Sequence, residues 1–141
     1  MTTDTIKAAI PHREPMLLVE EIVQQTTDTI TCRKTFREDE FFIQGHYPDF
    51  PLVPGAILCE CAMQAGAILL SDVMQQADGV PVATRLNNVK FTRMVRPGDT
   101  IEMDIKLTDQ LSRAYFLTAR VTVDGQLAAR MDFACAVATL S

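Results

Sequence analysis

The chain contains no tryptophan and only two histidines, His12 and His46, so few side chains can change charge near neutral pH. It has four cysteines, Cys32, Cys59, Cys61 and Cys135, but no C-x-x-C pair, and neither histidine stands at a metal-ligand spacing from them. Cys59 and Cys61 are two residues apart in a helical stretch, so their side chains point apart. Neither a metal site nor a disulfide is expected, and thiols in apolar surroundings suit a reducing compartment. A basic excess is also missing: the formal net charge of −5 argues against nucleic acid, which calls for a basic face. No apolar run reaches the ~20 residues of a bilayer-spanning helix. The longest candidate, Pro54–Leu70, falls short and contains Glu60. Met1 to Ala9 is polar and lacks the apolar centre of a secretory leader. The expectation is a cytoplasmic chain with no membrane span.

What is present suits one folded domain, 1–141. Hydrophobic residues make up 48% and charged residues 22%, too apolar a balance for a disordered chain. A length of 141 residues is enough to bury a sizeable core. No repeat, linker or low-complexity stretch divides it.

The densest signal is GHYPDFPLVPGAILCECAMQAGAILL, residues 45–70. From Ala56 to Leu70 the run is apolar or small except for Glu60 and Gln64. These two are four apart, so a helix stacks them on one face. A carboxylate on a greasy helix needs a reason, because burying it unpaired is costly. Upstream, Pro48, Pro51 and Pro54 recur every three residues and predict a stiff, extended arm carrying His46 to the helix. The helix is expected to start at Pro54 or Gly55 and to end before Gly79, at a C-terminal glycine.

The flanks read as strands. Thr3 or Thr5 could cap a short helix that stops before Pro11. His12-Arg13-Glu14-Pro15 reads as a turn, with His12 solvated. Met16–Val19 begins a strand, and Thr26–Phe36 gives a second, with Ile30, Cys32 and Phe36 on one face. Glu38-Asp39-Glu40 reads as a solvated acidic loop. After the helix the period changes to two: Val82–Phe91, then Ile101, Met103, Ile105 and Leu107, then Leu117, Ala119, Val121 and Val123. Leu127 to Val137 continues the alternation. Pro97-Gly98 and Asp124-Gly125 are turn pairs. The expected fold is α+β: one long apolar helix wrapped by an antiparallel sheet of five or six strands. The free edge of such a sheet could pair with a twin in a dimer.

His46 and Glu60 also suggest chemistry. A histidine near its ordinary pKa is a competent base at neutral pH. A carboxyl in an apolar pocket favours its protonated form and can act as an acid. Amides at the helix start, around Gly55, could polarise a carbonyl oxygen, and a glycine admits a close ligand. Gln64 suits support of the site. Base, acid and oxyanion site together fit proton abstraction beside a carbonyl with loss of a β-hydroxyl. A structural glutamate and a loop histidine would also satisfy the spacing.

GHYPDFPLVPGAILCE resembles the signature of the FabZ-type 3-hydroxyacyl-[acyl-carrier-protein] dehydratases, G-H-[FY]-P-x-x-P-x-x-P-G followed five residues later by Glu. IPHREPMLLVEEI and VKFTRMVRPGDTI resemble that family's opening stretch and its strand and turn after the helix. The related FabA-type dehydratase/isomerases carry Asp where this chain has Glu60. The resemblance implies a hot-dog fold with the long helix as the sausage. It implies a homodimer with two interface sites, often three dimers together, and no cofactor. His46 of one protomer would take the C2 proton, Glu60 of the other would protonate the departing hydroxyl, and the Gly55 amide would hold the thioester carbonyl. The substrate would be a (3R)-hydroxyacyl chain on the 4'-phosphopantetheine arm of acyl carrier protein. Two departures concern the acyl tunnel: Val82-Ala83 replace an aromatic pair, and Arg85 replaces a glycine. Between Arg85 and Arg96 lie four basic residues and no acid, so Arg93 and Arg96 are candidates for carrier docking. Two other readings stay open: a hot-dog thioesterase, which would not need His46, and a non-catalytic acyl-binding subunit.

Overall fold

The computed structural model describes residues 3–47 and 49–139. Its elements in order are α1 (Thr3–Ala9), β1 (Glu21–Gln25), β2 (Thr29–Thr35), α2 (Phe41–Gln44), α3 (Gly55–Leu69), α4 (Ser71–Gln76), β3 (Gly79–Phe91), β4 (Thr100–Leu111), β5 (Ala114–Val123) and β6 (Gln126–Thr139). The strands form one six-stranded sheet of order β1-β2-β4-β5-β6-β3, with every pairing antiparallel.

Alternation in the sequence becomes one buried face. Ile101, Met103 and Ile105 on β4, Leu117, Ala119 and Val121 on β5, and Met131, Phe133 and Cys135 on β6 are all buried. Each large side chain taken out of water contributes roughly 1.5–3 kcal/mol. Helix α3 lies against this face and touches β2, β4, β5, β6 and β3. The sheet closes on the helix at Gly66, where an added Cβ would stand 2.7 Å from Phe133 Cζ. The turns form where the glycine pairs predict: Gly98 has φ +97°, and the Asp124-Gly125 hairpin has φ of 50° and 79°.

Four local expectations are corrected. The helix does not run unbroken to residue 78. It ends at Leu69, and a polar continuation, α4, turns to pack Met74 against β3. The left-handed residue after it is Asp78 (φ 53°), while Gly79 already begins β3, where a Cβ would stand 2.6 Å from Val137 Cγ1. Met16–Val19 is not a strand, because the Leu18 N–H donates to Gln64 Oε1 (2.8 Å) instead of to a neighbouring strand. The acidic loop is not wholly solvated. Glu40 accepts from the buried Lys34 Nζ at 2.6 Å and from the Arg37 N–H at 2.9 Å, pinning the start of α2.

At the sheet edge, β3 exposes Val82, Leu86, Val89 and Phe91. Its bulges at Ala83/Arg85 and Asn87/Lys90 bend the strand, and Asn88 takes φ 54° within the second.

Candidate active site

Helix α3 starts at Gly55 with Pro54 as its N-cap residue and no side-chain cap. The Ile57 and Leu58 N–H groups both donate to the Pro54 carbonyl (2.9 and 3.3 Å), so the Gly55 and Ala56 amides precede the first intrahelical bonds. The ring of Phe91 covers this helix start: a Cβ on Gly55 would stand 2.7 Å from Phe91 Cζ. A side chain at residue 55 would force the half-exposed Phe91 ring to move. A cavity of about 720 Å³ opens beside it, lined by Leu52, Gly55, Ala56, Phe91, Arg93 and Met94 among others.

His46 sits just after α2, and its ring reaches the backbone of Leu52, which lines this cavity. The arm does not extend as the prolines predict. The Phe50 N–H donates to the Tyr47 carbonyl (2.9 Å), and Tyr47 has φ 48°, so the chain folds back on itself. Pro48, the first of the three prolines, lies outside the described residues. This turn brings His46 Nδ1 to 3.2 Å from the Leu52 carbonyl oxygen. A carbonyl can only accept, so Nδ1 carries the proton of the neutral ring and Nε2 is its basic nitrogen.

Glu60 stands one turn after Ala56 on the same face of α3. Its Oε2 accepts from Gln64 Nε2 at 2.9 Å. Gln64 is buried, and its amide is fully used: Nε2 also donates to the Met16 carbonyl (2.7 Å), while Oε1 accepts from Leu18 N–H (2.8 Å). Gln64 thus contacts Glu60 and two backbone groups at once. Its amide ties Glu60 to the loop that follows α1.

The same loop delivers a residue that sequence reasoning set aside. His12 is not a fully solvated turn residue; its side chain is 31% exposed, and its Nε2 lies 3.7 Å from Glu60 Oε2. The signal was local and faint, a histidine beside an arginine. Arg13 folds back to donate to the Ile10 and Lys7 carbonyls (2.9 and 3.0 Å) at the end of α1, which fixes the loop.

Among the described residues, no hydrogen bond or ion pair joins His46 to Glu60 within the chain. Arg93 and Arg96 are both exposed on the segment after β3. Arg93 lines the cavity and donates to Gln126 Oε1, while Arg96 lies over the Phe50 ring, 4.8 Å from its centroid. Val82, Ala83 and Arg85 are exposed on the first half of β3 and do not line this cavity. Among the described residues no three His, Cys, Asp or Glu side chains gather closely enough to hold a metal ion. Among the described residues no helix is long and apolar enough to cross a membrane.

The four cysteines are free and buried. Burial pushes the Cys32 thiol up to about 12 and the Cys135 thiol up to about 11. It also raises Cys59 and Cys61. A thiol so held is a poor nucleophile.

Comparison with known proteins agrees with this architecture. The profile of the ApeI-like family, described as ApeI dehydratase, matches residues 22–131. The 3-hydroxyacyl-[acyl-carrier-protein] dehydratase FabZ of Oenococcus oeni is 38% identical over 136 residues, covering 94% of this chain and 96% of that protein. FabZ of Clostridium perfringens is 34% identical over 128 residues, covering 91% and 92%. Among solved structures, the dehydratase heterocomplex ApeI:P from Xenorhabdus doucetiae shares the fold, with a TM-score of 0.82 at 15% identity over 95% of this chain and 91% of that one. A six-stranded sheet curled on an apolar helix, a family profile over most of the length and end-to-end relatives converge, and this chain belongs to the FabZ and ApeI-like family of hot-dog dehydratases.

Proposed function

We infer that this chain dehydrates (3R)-hydroxyacyl thioesters carried on acyl carrier protein to their trans-2-enoyl forms. The observation that carries the reading is Glu60. It is a carboxyl group on an apolar helix, tied through one oxygen and still 28% exposed, in a family of dehydratases. Its other oxygen, Oε1, has no protein partner among the described residues and is open to a substrate hydroxyl.

His46 Nε2 takes the C2 proton. The resulting electron pair forms the C2–C3 double bond as the C3–O bond breaks. Glu60 gives its proton to the departing hydroxyl, which leaves as water. Exchange of protons with solvent then restores both groups. The Gly55 amide, at the uncapped and positive end of α3, steadies the charge that builds on the thioester oxygen. The apolar cavity beside Gly55 suits an acyl chain. No cofactor is needed for this chemistry.

The site is shared between two copies of the chain. The lack of a His46–Glu60 contact within one protomer supports this, as does the apolar face of the edge strand β3. Each half-site then takes His46 from one protomer and Glu60 from its partner. The acidic carrier is oriented by two exposed arginines, Arg93 at the cavity and Arg96 over the Phe50 ring, against a chain whose net charge of −5 opposes the encounter. Four free, buried thiols favour the cytoplasm.

The test is direct. Ultraviolet absorbance should report enoyl thioester forming from a 3-hydroxyacyl thioester. Release of free thiol without that signal would instead identify a thioesterase.

A further inference from the structure

We propose that His12 is a positioning residue for Glu60 in the dehydration inferred above, on which reading the proposal rests. His12 Nε2 lies 3.7 Å from Glu60 Oε2. The other ring nitrogen, Nδ1, is buried and has no hydrogen-bond partner among the described residues. An orphaned buried N–H is costly, and a protonated ring would place one at Nδ1. The neutral ring therefore keeps its proton on Nε2 and a lone pair on Nδ1. That tautomer aims an N–H at Glu60 Oε2.

The same oxygen already accepts from Gln64 Nε2 at 2.9 Å. With both donors directed at Oε2, Oε1 is the oxygen that carries the acid proton and meets the departing hydroxyl. At 3.7 Å the His12 contact is longer than a hydrogen bond. It tightens as Glu60 gives up its proton and the carboxylate gains charge. A donor whose interaction grows along the reaction lowers the barrier more than it strengthens substrate binding.

The loop is built to hold the ring there. Before His12, α1 is anchored by the buried Ile6, and Arg13 donates to the carbonyls of Lys7 in its last turn and of Ile10 just beyond it. After it, the Met16 carbonyl and the Leu18 N–H are both bound to Gln64. His12 is thus held between the end of α1 and the Gln64 anchor on the helix that carries Glu60. It acts through Glu60 and does not itself meet the substrate.

The experiment is steady-state kinetics on a short pantetheine 3-hydroxyacyl thioester, with thermal melting as a check on folding. His12→Ala should lower kcat about tenfold or more while KM changes by less than about twofold. His12→Gln, whose amide can present an N–H near the same place, should recover most of that kcat. His12→Met fills the space without a donor and should reproduce the loss even if the alanine variant melts early. Glu60→Gln is the control. If it is inactive while His12→Ala and His12→Met keep full kcat, the proposal is overturned and the role of Glu60 stands. If Glu60→Gln stays active, the reading of Glu60 itself has failed. A loss expressed only in KM, or one that His12→Gln shares in full, would mark His12 as structural and overturn the proposal.

Discussion

Glu60 and Gln64, one turn apart on α3, are joined by a hydrogen bond of 2.9 Å from the Gln64 amide to a single oxygen of the Glu60 carboxyl group. The Gln64 side chain is almost wholly buried and has its amide oxygen occupied by the Leu18 N–H, so it cannot turn over to offer that oxygen instead. The glutamate is thereby held by a donor whose own orientation is set by the backbone of a distant loop.

From this geometry, Glu60→Gln should remove most dehydration with little effect on folding, since Gln64 could still donate to the new carboxamide oxygen. His46→Ala should do the same. Each loss should fall in the range of about 10²–10⁴-fold that a general acid or base contributes. Rates measured on a soluble thioester check this, and near-full activity in either variant would remove that residue from the mechanism.

Complementation tests the shared site. His46→Ala and Glu60→Gln chains, each inactive alone, should regain activity when mixed and allowed to exchange. Equal mixing into random dimers leaves one intact site in half of them, or about a quarter of the wild-type sites. No recovery after exchange is verified would place both residues of a site in one protomer.

The Phe91 ring over Gly55 predicts a stability effect. Gly55→Ala puts a methyl group 2.7 Å from Phe91 Cζ, so the half-exposed ring must swing aside and the variant should melt lower than wild type. Adding Phe91→Leu removes the colliding ring atoms and should raise the melting temperature of the alanine variant. Were the double variant less stable than Gly55→Ala, the ring could not be the source of the strain.

Carrier docking is separable from chemistry. Reversing Arg93 and Arg96 to Glu should raise KM for carrier-bound substrate and weaken its salt dependence. Turnover of the pantetheine thioester, which lacks the acidic domain, should barely move. Equal damage to both substrates would mean that the arginines shape the cavity, as the contacts of Arg93 with Gln126 and of Arg96 with Phe50 would permit.

The buried thiols predict an alkaline limit to stability. Cys32 rises from an ordinary 9.0 to about 12 and Cys135 to about 11, both through burial. Below pH 9 both states keep these protons and the native state has its full advantage. Above it the unfolded chain loses them first, so stability falls as pH climbs toward the native values. Melting curves from pH 8 to 11 should show this fall, with a shallower slope in Cys32→Val. The native thiols should also resist alkylation at neutral pH and react once the chain is unfolded.

Much of the frame was legible because it is local. Alternation from Ile101 to Val137 states which face of each strand is buried, and Pro97-Gly98 and Asp124-Gly125 mark turns by their own backbone preferences. The onset of α3 at Gly55 and the stacking of Glu60 on Gln64 also follow from short-range spacing. Even so, the turn at Ser112-Arg113 was silent, since neither residue favours the φ of 59° that Ser112 adopts.

Other features depend on groups far apart in the chain. Leu18 spends its N–H on Gln64, 46 residues away, so a stretch with strand-like composition never pairs as a strand. Glu40 is drawn out of solvent by Lys34, which a local reading counts only as one more charge. His12 reaches Glu60 because Arg13 and Gln64 fix the loop between α1 and β1. By itself the sequence determined periodicity, turn sites and the spacing of His46, Gly55 and Glu60. Only the tertiary structure decided which polar atoms meet, because a hydrogen bond or ion pair between distant residues forms only after the core has closed and brought them into reach.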